Sequence, residues 1–361
     1  MHAAVDAFKP QVAPLPVTIL TGFLGSGKTT LINYLLQHHQ GERIAIIENE
    51  FGAAGIDGAL IQAQVNAQAN VEVLELSNGC VCCSIRGELT SALQAIIARI
   101  DSGELAIERL ILETTGLADP APIIQTFFVD ELIRERVVLD AVITLVDAHH
   151  ILKQLDEHRV AAAQIGFADR IILTKADLVN SVEKAQVLSR IHAINAKAQI
   201  IEALNGALPK QLWLNIGAFE LDDALQLNQG VYQAAANPLT PQAIDPSATP
   251  FNFTPFTSNP SEQSWNDDIQ SYAFTAGELD LKKIGAFMEH LVETHGNDML
   301  RYKGVLAIEG EPRTLIVQGV HKVVGFDYGA PFKDTRQSLL VIIGRYLPSE
   351  ALKQAFIQTQ A

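Results

Sequence analysis

The sequence predicts an α/β protein, with a doubly wound, mostly parallel sheet followed by a second, smaller α+β domain. Three observations carry this expectation. Short apolar runs alternate with longer helical patterns from residue 17 to about residue 204, which is the signature of a parallel sheet covered on both faces. A glycine-rich phosphate loop directly follows the first of those runs. Beyond it, Pro238, Pro241, Pro246, Pro250, Pro255 and Pro260 recur amid Ala, Ser, Thr and Asn without hydrophobic periodicity, as in an extended linker.

Taken in order, residues 17–20 read as a buried strand and residues 30–37 as an amphipathic helix with Leu31, Leu35 and Leu36 inward. Further strands are expected at 43–47, 71–76, 109–112, 141–146, 170–173 and 199–202, with helices at 87–100, 121–134, 149–165 and 182–195. After the linker, strands are expected at 269–275, 301–308, 313–318, 321–326 and 337–343, and helices at 279–293 and 349–357. The chain thus divides into a P-loop nucleotide-binding domain over residues 1–230, a linker over 231–268 and an α+β domain over 269–361.

Composition narrows the function. The 361 residues are 48% hydrophobic and 19% charged, an ordinary globular balance. A formal net charge of −15 argues against nucleic acid as a partner, because phosphate-backbone binding needs a basic face. No run approaches 18 apolar residues, so no membrane span is expected. Residues 1–16 lack a basic segment followed by an apolar one, and a cytoplasmic location is expected. The three cysteines, Cys80, Cys82 and Cys83, form one local cluster rather than a disulfide framework.

The phosphate loop is Gly22-Phe23-Leu24-Gly25-Ser26-Gly27-Lys28-Thr29, followed by Thr30, and it meets every fixed position of G-x-x-x-x-G-K-[ST]. Gly25 and Gly27 let successive N–H groups turn inward onto phosphate oxygens, and a helix N-terminus adds favourable dipole. Lys28 is expected at the β- and γ-phosphates and the Thr29 hydroxyl on Mg2+. Glu113 ends a buried strand and Gly116 follows three residues later, as an acid that holds magnesium and a glycine that senses the γ-phosphate would. Glu113 capping a turn is the alternative. Thr174-Lys175-Ala176-Asp177, at another strand end, is similar to the [NT]KxD motif with which GTPases read guanine. A carboxylate at Asp177 accepts from two guanine donors that adenine lacks; a helix N-cap at Asp177 is the rival role.

The cysteines immediately precede the helix at 87–100, where thiol pKa values are lowered. Three thiolates supply most of a tetrahedral Zn2+ site, with water, a carboxylate or a partner's residue as fourth ligand. Buried small hydrophobes or a redox pair are the alternatives. Glu48 and Glu50, at the end of the second strand, offer further metal ligands, a magnesium second shell or merely a solvated turn. Asp130, His149 and His150 are lesser candidates.

Together, residues 22–30, 48–52, Ser77-Asn-Gly-Cys-Val-Cys-Cys83, 113–116 and 174–177 resemble the CobW family of P-loop GTPases. The resemblance extends into the second domain through Arg301-Tyr-Lys-Gly304, Gln318-Gly-Val-His321 and residues 336–344. It implies a GTP-hydrolysing metallochaperone that binds zinc or a similar transition metal at Cys80, Cys82 and Cys83 and serves a client metalloprotein. Two positions depart from the pattern: Ala53 stands where many relatives carry an acid, and Ser264-Trp-Asn-Asp-Asp268 replaces a His-rich stretch of cobalamin-related members. A metal-responsive regulator or storage protein, and a P-loop small-molecule kinase, are the competing readings.

Overall fold

The computed structural model describes residues 13–38, 41–49, 71–75, 85–218, 269–332 and 336–361. Within them, β1 (Leu15–Gly22), β2 (Ile44–Asn49), β3 (Val71–Glu75), β4 (Arg109–Thr114), β5 (Val137–Asp147), β6 (Arg170–Thr174) and β7 (Gln199–Ala203) form one sheet in the order β3-β2-β4-β1-β5-β6-β7. Every neighbouring pair is parallel. Apolar residues fill both faces because successive side chains of a strand point opposite ways. Ala45 and Ile47 join one core, for example, whereas Ile44 and Ile46 join the other.

Helix α1 (Lys28–His38) and a segment carrying Leu208, Trp213 and Leu214 cover one face. On the other lie α2 (Ile85–Asp101), α3 (Pro120–Val129), α4 (Glu131–Arg136), α5 (Ile151–Glu157), α6 (Arg159–Phe167) and α7 (Ser181–Ile194). The single helices expected over 121–134 and 149–165 are each two helices. Asp130 leaves helical geometry at φ −84°, ψ 125°, and its carboxylate caps α4 by accepting from Ile133 N at 2.9 Å. His158 breaks the second at φ −135°, ψ 109°. Hydrophobic periodicity runs through both breaks, since the pieces on either side pack on the same core. Asp130, which also accepts from Gln94 at 3.1 Å, therefore has a capping role here.

The second sheet is antiparallel, in the order β11-β10-β9-β12-β8, from β8 (Ile269–Ala276), β9 (Met299–Ala307), β10 (Arg313–Val320), β11 (Val323–Pro331) and β12 (Ser338–Arg345). Helices α8 (Leu281–His295) and α9 (Ser349–Ile357) close one face, over Tyr302, Leu306, Leu340 and Ile342. The fold class expected from the sequence is thus found in both sheets.

The opposite face of this second sheet meets the first domain. Ile269, Leu300, Val320 and Ile343 continue the larger core of the parallel sheet. Gly166 in α6 packs so closely there that an added Cβ would lie 3.1 Å from Leu300. Beside this apolar contact, Asp169 accepts from Arg301 at 2.6 Å and from Lys303 at 2.8 Å, while Arg301 also donates to Phe167 O at 2.6 Å. Burial by itself raises the Asp169 carboxyl, but the Arg301 and Lys303 charges outweigh it and hold the group below the usual carboxylate range.

Breaking a buried pair by removing one partner leaves the other charge uncompensated. Asp169→Ala should therefore lower stability by about 3–5 kcal/mol, read as a fall in Tm on the order of 10 °C by calorimetry. An unchanged Tm would show that the pair does not hold the two sheets together. Because the folded-state pKa is depressed, this contribution is complete above the unfolded carboxyl value of about 3.9 and is lost as pH falls through the lower folded value. The wild-type advantage should shrink only in that acid window.

Candidate functional site

The phosphate loop, Glu48, Glu113–Gly116 and Thr174–Asp177 lie at the carboxyl ends of β1, β2, β4 and β6, the edge of the parallel sheet where open α/β folds bind ligands. The phosphate loop leaves β1 at Gly22, and α1 starts at Lys28. Gly22, Gly25 and Gly27 have φ of 139°, 74° and 97°, conformations that glycine adopts without a Cβ penalty. A Cβ on Gly22 would lie 2.4 Å from Leu145 O of β5, so the loop sits directly on the neighbouring strand. Lys28 is buried and donates to Gly22 O at 3.0 Å. Ser26 Oγ is buried with no protein partner among the described residues. A buried unsatisfied hydroxyl in a native fold calls for an explanation, and a phosphate oxygen supplies one. The cradle fits a nucleotide phosphate.

The base-end motif is fastened to this loop. Thr174 is buried and its hydroxyl donates to Ser26 O at 2.8 Å. Lys175 adopts the left-handed φ of 55°, and its ammonium donates to Gly25 O at 2.9 Å and to Asp147 Oδ2 at 2.7 Å. Two charge-assisted bonds offset the roughly 1–2 kcal/mol that a non-glycine residue spends in that conformation. Burial raises the Asp147 carboxyl, yet hydrogen bonds from Lys175 and His150 and the Lys175 charge bring it below its ordinary value. Asp177 lies exposed on a 3-10 turn over Ala176–Leu178. The N-cap of α7 is Asn180, which forms a capping box with Glu183. The capping role weighed for Asp177 is therefore filled by Asn180, leaving the Asp177 carboxylate open to a base.

Next to the loop on the other side, Leu20, Glu113 and Glu48 share one register level across β1, β4 and β2. Thr114 donates to Thr21 at 2.8 Å, joining the ends of β4 and β1. Gly116 is pressed against the phosphate loop: a Cβ there would lie 2.5 Å from Leu24 N. Any larger residue would displace backbone. Thr30 is approached by Gly206, whose added Cβ would lie 2.7 Å from Thr30 O. Thr29 is half-buried at the start of α1.

Cys80, Cys82, Cys83 and Glu50 lie outside the described residues, as do Ala53 and residues 264–268. Glu48 is placed by its backbone in β2. Among the described residues, no group of His, Cys, Asp and Glu is arranged to hold a metal ion. His150 has another engagement, with its Nδ1 2.9 Å from Asp147 Oδ2.

Two site residues escape motif reading. Asp147 ends β5 as Glu113 nears the end of β4, so an acid at a buried strand's carboxyl end was the available signal. Gln164 is 1% exposed and donates to Gly116 O and Ala118 O, each at 3.2 Å. Its signal is an isolated amide in the apolar run Val160-Ala-Ala-Ala-Gln164-Ile165.

Comparison with known proteins identifies relatives of both domains. The CobW/HypB/UreG nucleotide-binding domain profile matches residues 16–202, and the cobalamin synthesis protein cobW C-terminal domain matches residues 269–360. Zinc chaperone YjiA of Escherichia coli is 37% identical over 345 residues, spanning 95% of this chain and 98% of that protein. Zinc chaperone CobW of Pseudomonas aeruginosa is 33% identical over 370 residues, spanning 94% and 90%. The crystal structure of Zn(II)-bound YjiA GTPase from E. coli matches with a TM-score of 0.70 at 31% identity, covering 97% of this chain and 100% of that one. Both domains, their order and the relatives that span nearly the whole length place the chain in the CobW family of P-loop GTPases.

Proposed function

We propose that this chain is a GTP-binding and GTP-hydrolysing metallochaperone, which takes up zinc or a similar transition metal and passes it to a client metalloprotein in a nucleotide-gated way. The observation that carries the nucleotide half is the fastening of Thr174 and Lys175 onto Ser26 O and Gly25 O, which unites base end and phosphate end in one cradle. The names of the relatives, zinc chaperone and zinc-regulated GTPase metalloprotein activator, support the metal half. No helix among the described residues is long and apolar enough to cross a membrane.

In this reading Gly22, Gly25, Ser26, Gly27 and Thr30 line the phosphates, and Lys28 leaves Gly22 O to neutralise charge developing on the transferred phosphoryl group. Thr29 and Glu113 would hold Mg2+, which would supply positive charge against the phosphates. Gly116 senses the γ-phosphate. Cys80, Cys82 and Cys83 bind the cargo metal, with Glu48 and Glu50 as further ligands. The catalytic unit is residues 1–230, joined by a linker over 231–268 to a client-facing unit over 269–361. Leu117-Ala118-Asp119-Pro120 follows Gly116 without a glutamine to orient water, so turnover without a partner is slow.

Asp177 should decide base choice. Calorimetry should give GDP at least about tenfold tighter binding than ADP, or roughly 1.4 kcal/mol, and Asp177→Asn should shift preference toward xanthine nucleotides. Equal affinity for the guanine and adenine nucleotides would remove the GTPase assignment.

Gating is tested by linkage: if metal and γ-phosphate favour different arrangements, each changes the other's affinity by one common factor. Zinc competition titrations should differ about 5- to 150-fold between GDP-loaded protein and protein loaded with a non-hydrolysable GTP analogue. Replacing all three cysteines by serine should abolish the tight site and the difference. Identical zinc affinities in the two nucleotide states would leave a metal-binding GTPase without gating.

A further inference from the structure

Gln164 stands on the buried face of α6 beside Ala161 and Ile165. A carboxamide there costs free energy unless its donors are satisfied, and an aliphatic side chain would fill the space without that demand. Both acceptors of the Gln164 amide belong to one turn, closed by Ala118 N donating to Thr115 O at 3.1 Å. The turn is thus held between two fixed neighbours. Gly116 abuts Leu24 of the phosphate loop on one side and bonds Gln164 on the other.

The helix carrying Gln164 is itself anchored at both ends of this relay. Thr144 of β5 donates to Gln164 O at 2.8 Å. Two residues further on, Gly166 packs on Leu300, Ile343 and Ile269 of the second domain, and Phe167 O accepts from Arg301. A displacement of Gly116 by a phosphate must therefore either strain the hydrogen bonds from Gln164 to this turn or move α6, and with it the surface on which the second sheet rests.

We infer that Gln164 is a positioning residue for GTP hydrolysis, which holds the 116–118 turn against the phosphate loop and makes α6 report the state of that turn to the second domain. The inference rests on Gly116 being the γ-phosphate sensor. Gln164 touches no reacting atom; it acts through the backbone of Gly116 and Ala118.

Gln164→Met keeps the length of the side chain and removes both donors. In this variant kcat at saturating GTP should fall about tenfold or more, because small misplacements of a catalytic segment are costly, while KM and GDP affinity stay within about twofold. Unchanged kcat in folded Gln164→Met protein overturns the inference, as does a loss of kcat that merely tracks a lost GDP-binding fraction. Gly116→Ala separates the role of the turn from that of Gln164. Lost turnover there with normal turnover in Gln164→Met removes the role of Gln164 alone, whereas normal turnover in both removes the sensor and the inference with it. Should Gln164→Met fail to fold, the wild-type protein decides by hydrogen exchange with GDP and with a non-hydrolysable GTP analogue. Protection over residues 115–119 and 160–168 should change together, and a change confined to 115–119 overturns the coupling.

Discussion

The nucleotide cradle depends on one ammonium group. Lys175 reaches from the end of β6 across to Gly25 O, 150 residues earlier in the chain, while its other bond fixes it to Asp147 at the end of β5. A phosphate loop alone is a short run of glycine-rich backbone with large conformational freedom. Fastening it to two adjacent strand ends removes that freedom before nucleotide arrives, so less ordering remains for binding to accomplish. Thr174, bonded to Ser26 O, adds a neutral contact beside the charged one. The same contacts that shape the phosphate cradle also set where Asp177 stands, two residues further on.

Much of this was legible in the sequence, for local reasons. Buried parallel strands are continuous apolar runs, so all seven strands of the first sheet announce themselves, with ends displaced by a few residues at most. At the carboxyl ends Thr21, Thr114 and Asp147 continue the ladder as polar residues where periodicity gives no cue, while the largest displacement is at the amino end of β5, which begins at Val137. Helix breaks at Asp130 and His158 were hidden for the opposite reason, because apolar spacing persists across them. The phosphate loop and the Thr174–Asp177 tetrapeptide are contiguous and therefore readable. What joins them is not, since Gly25 O and Ser26 O are backbone acceptors that no residue identity encodes.

Polar residues buried away from the motifs divide by the edge they occupy. Arg109 is 1% exposed and binds Glu42 at 3.1 Å, Asp140 at 3.3 Å and Asn215. Asp140 accepts in addition from Thr18, Asn215 N and Gly217 N. That network is fully partnered and lies toward the amino ends of β4 and β5, away from the phosphate loop, so it ties strands and the segment after β7 together without facing a ligand. At the carboxyl edge, by contrast, Ser26 Oγ has no partner among the described residues and Lys28 rests on a backbone carbonyl. A buried hydroxyl without a protein partner inside the phosphate loop, where an anion is expected, distinguishes this edge from the partnered network around Arg109 and Asp140.

Strand β6 connects the phosphate loop to the second sheet. Asp169, immediately before its first residue, carries the ion pairs to Arg301 and Lys303, and Lys175, immediately after its last, carries the bond to the phosphate loop. The strand between is only five residues long and is paired on both sides, to β5 and β7. A short strand inside a close-packed sheet transmits displacement instead of absorbing it. The second domain is thus docked on the strand that positions the base motif, and α6, which precedes that strand, holds the turn beside the phosphates. Base motif and phosphate loop consequently share one mechanical support.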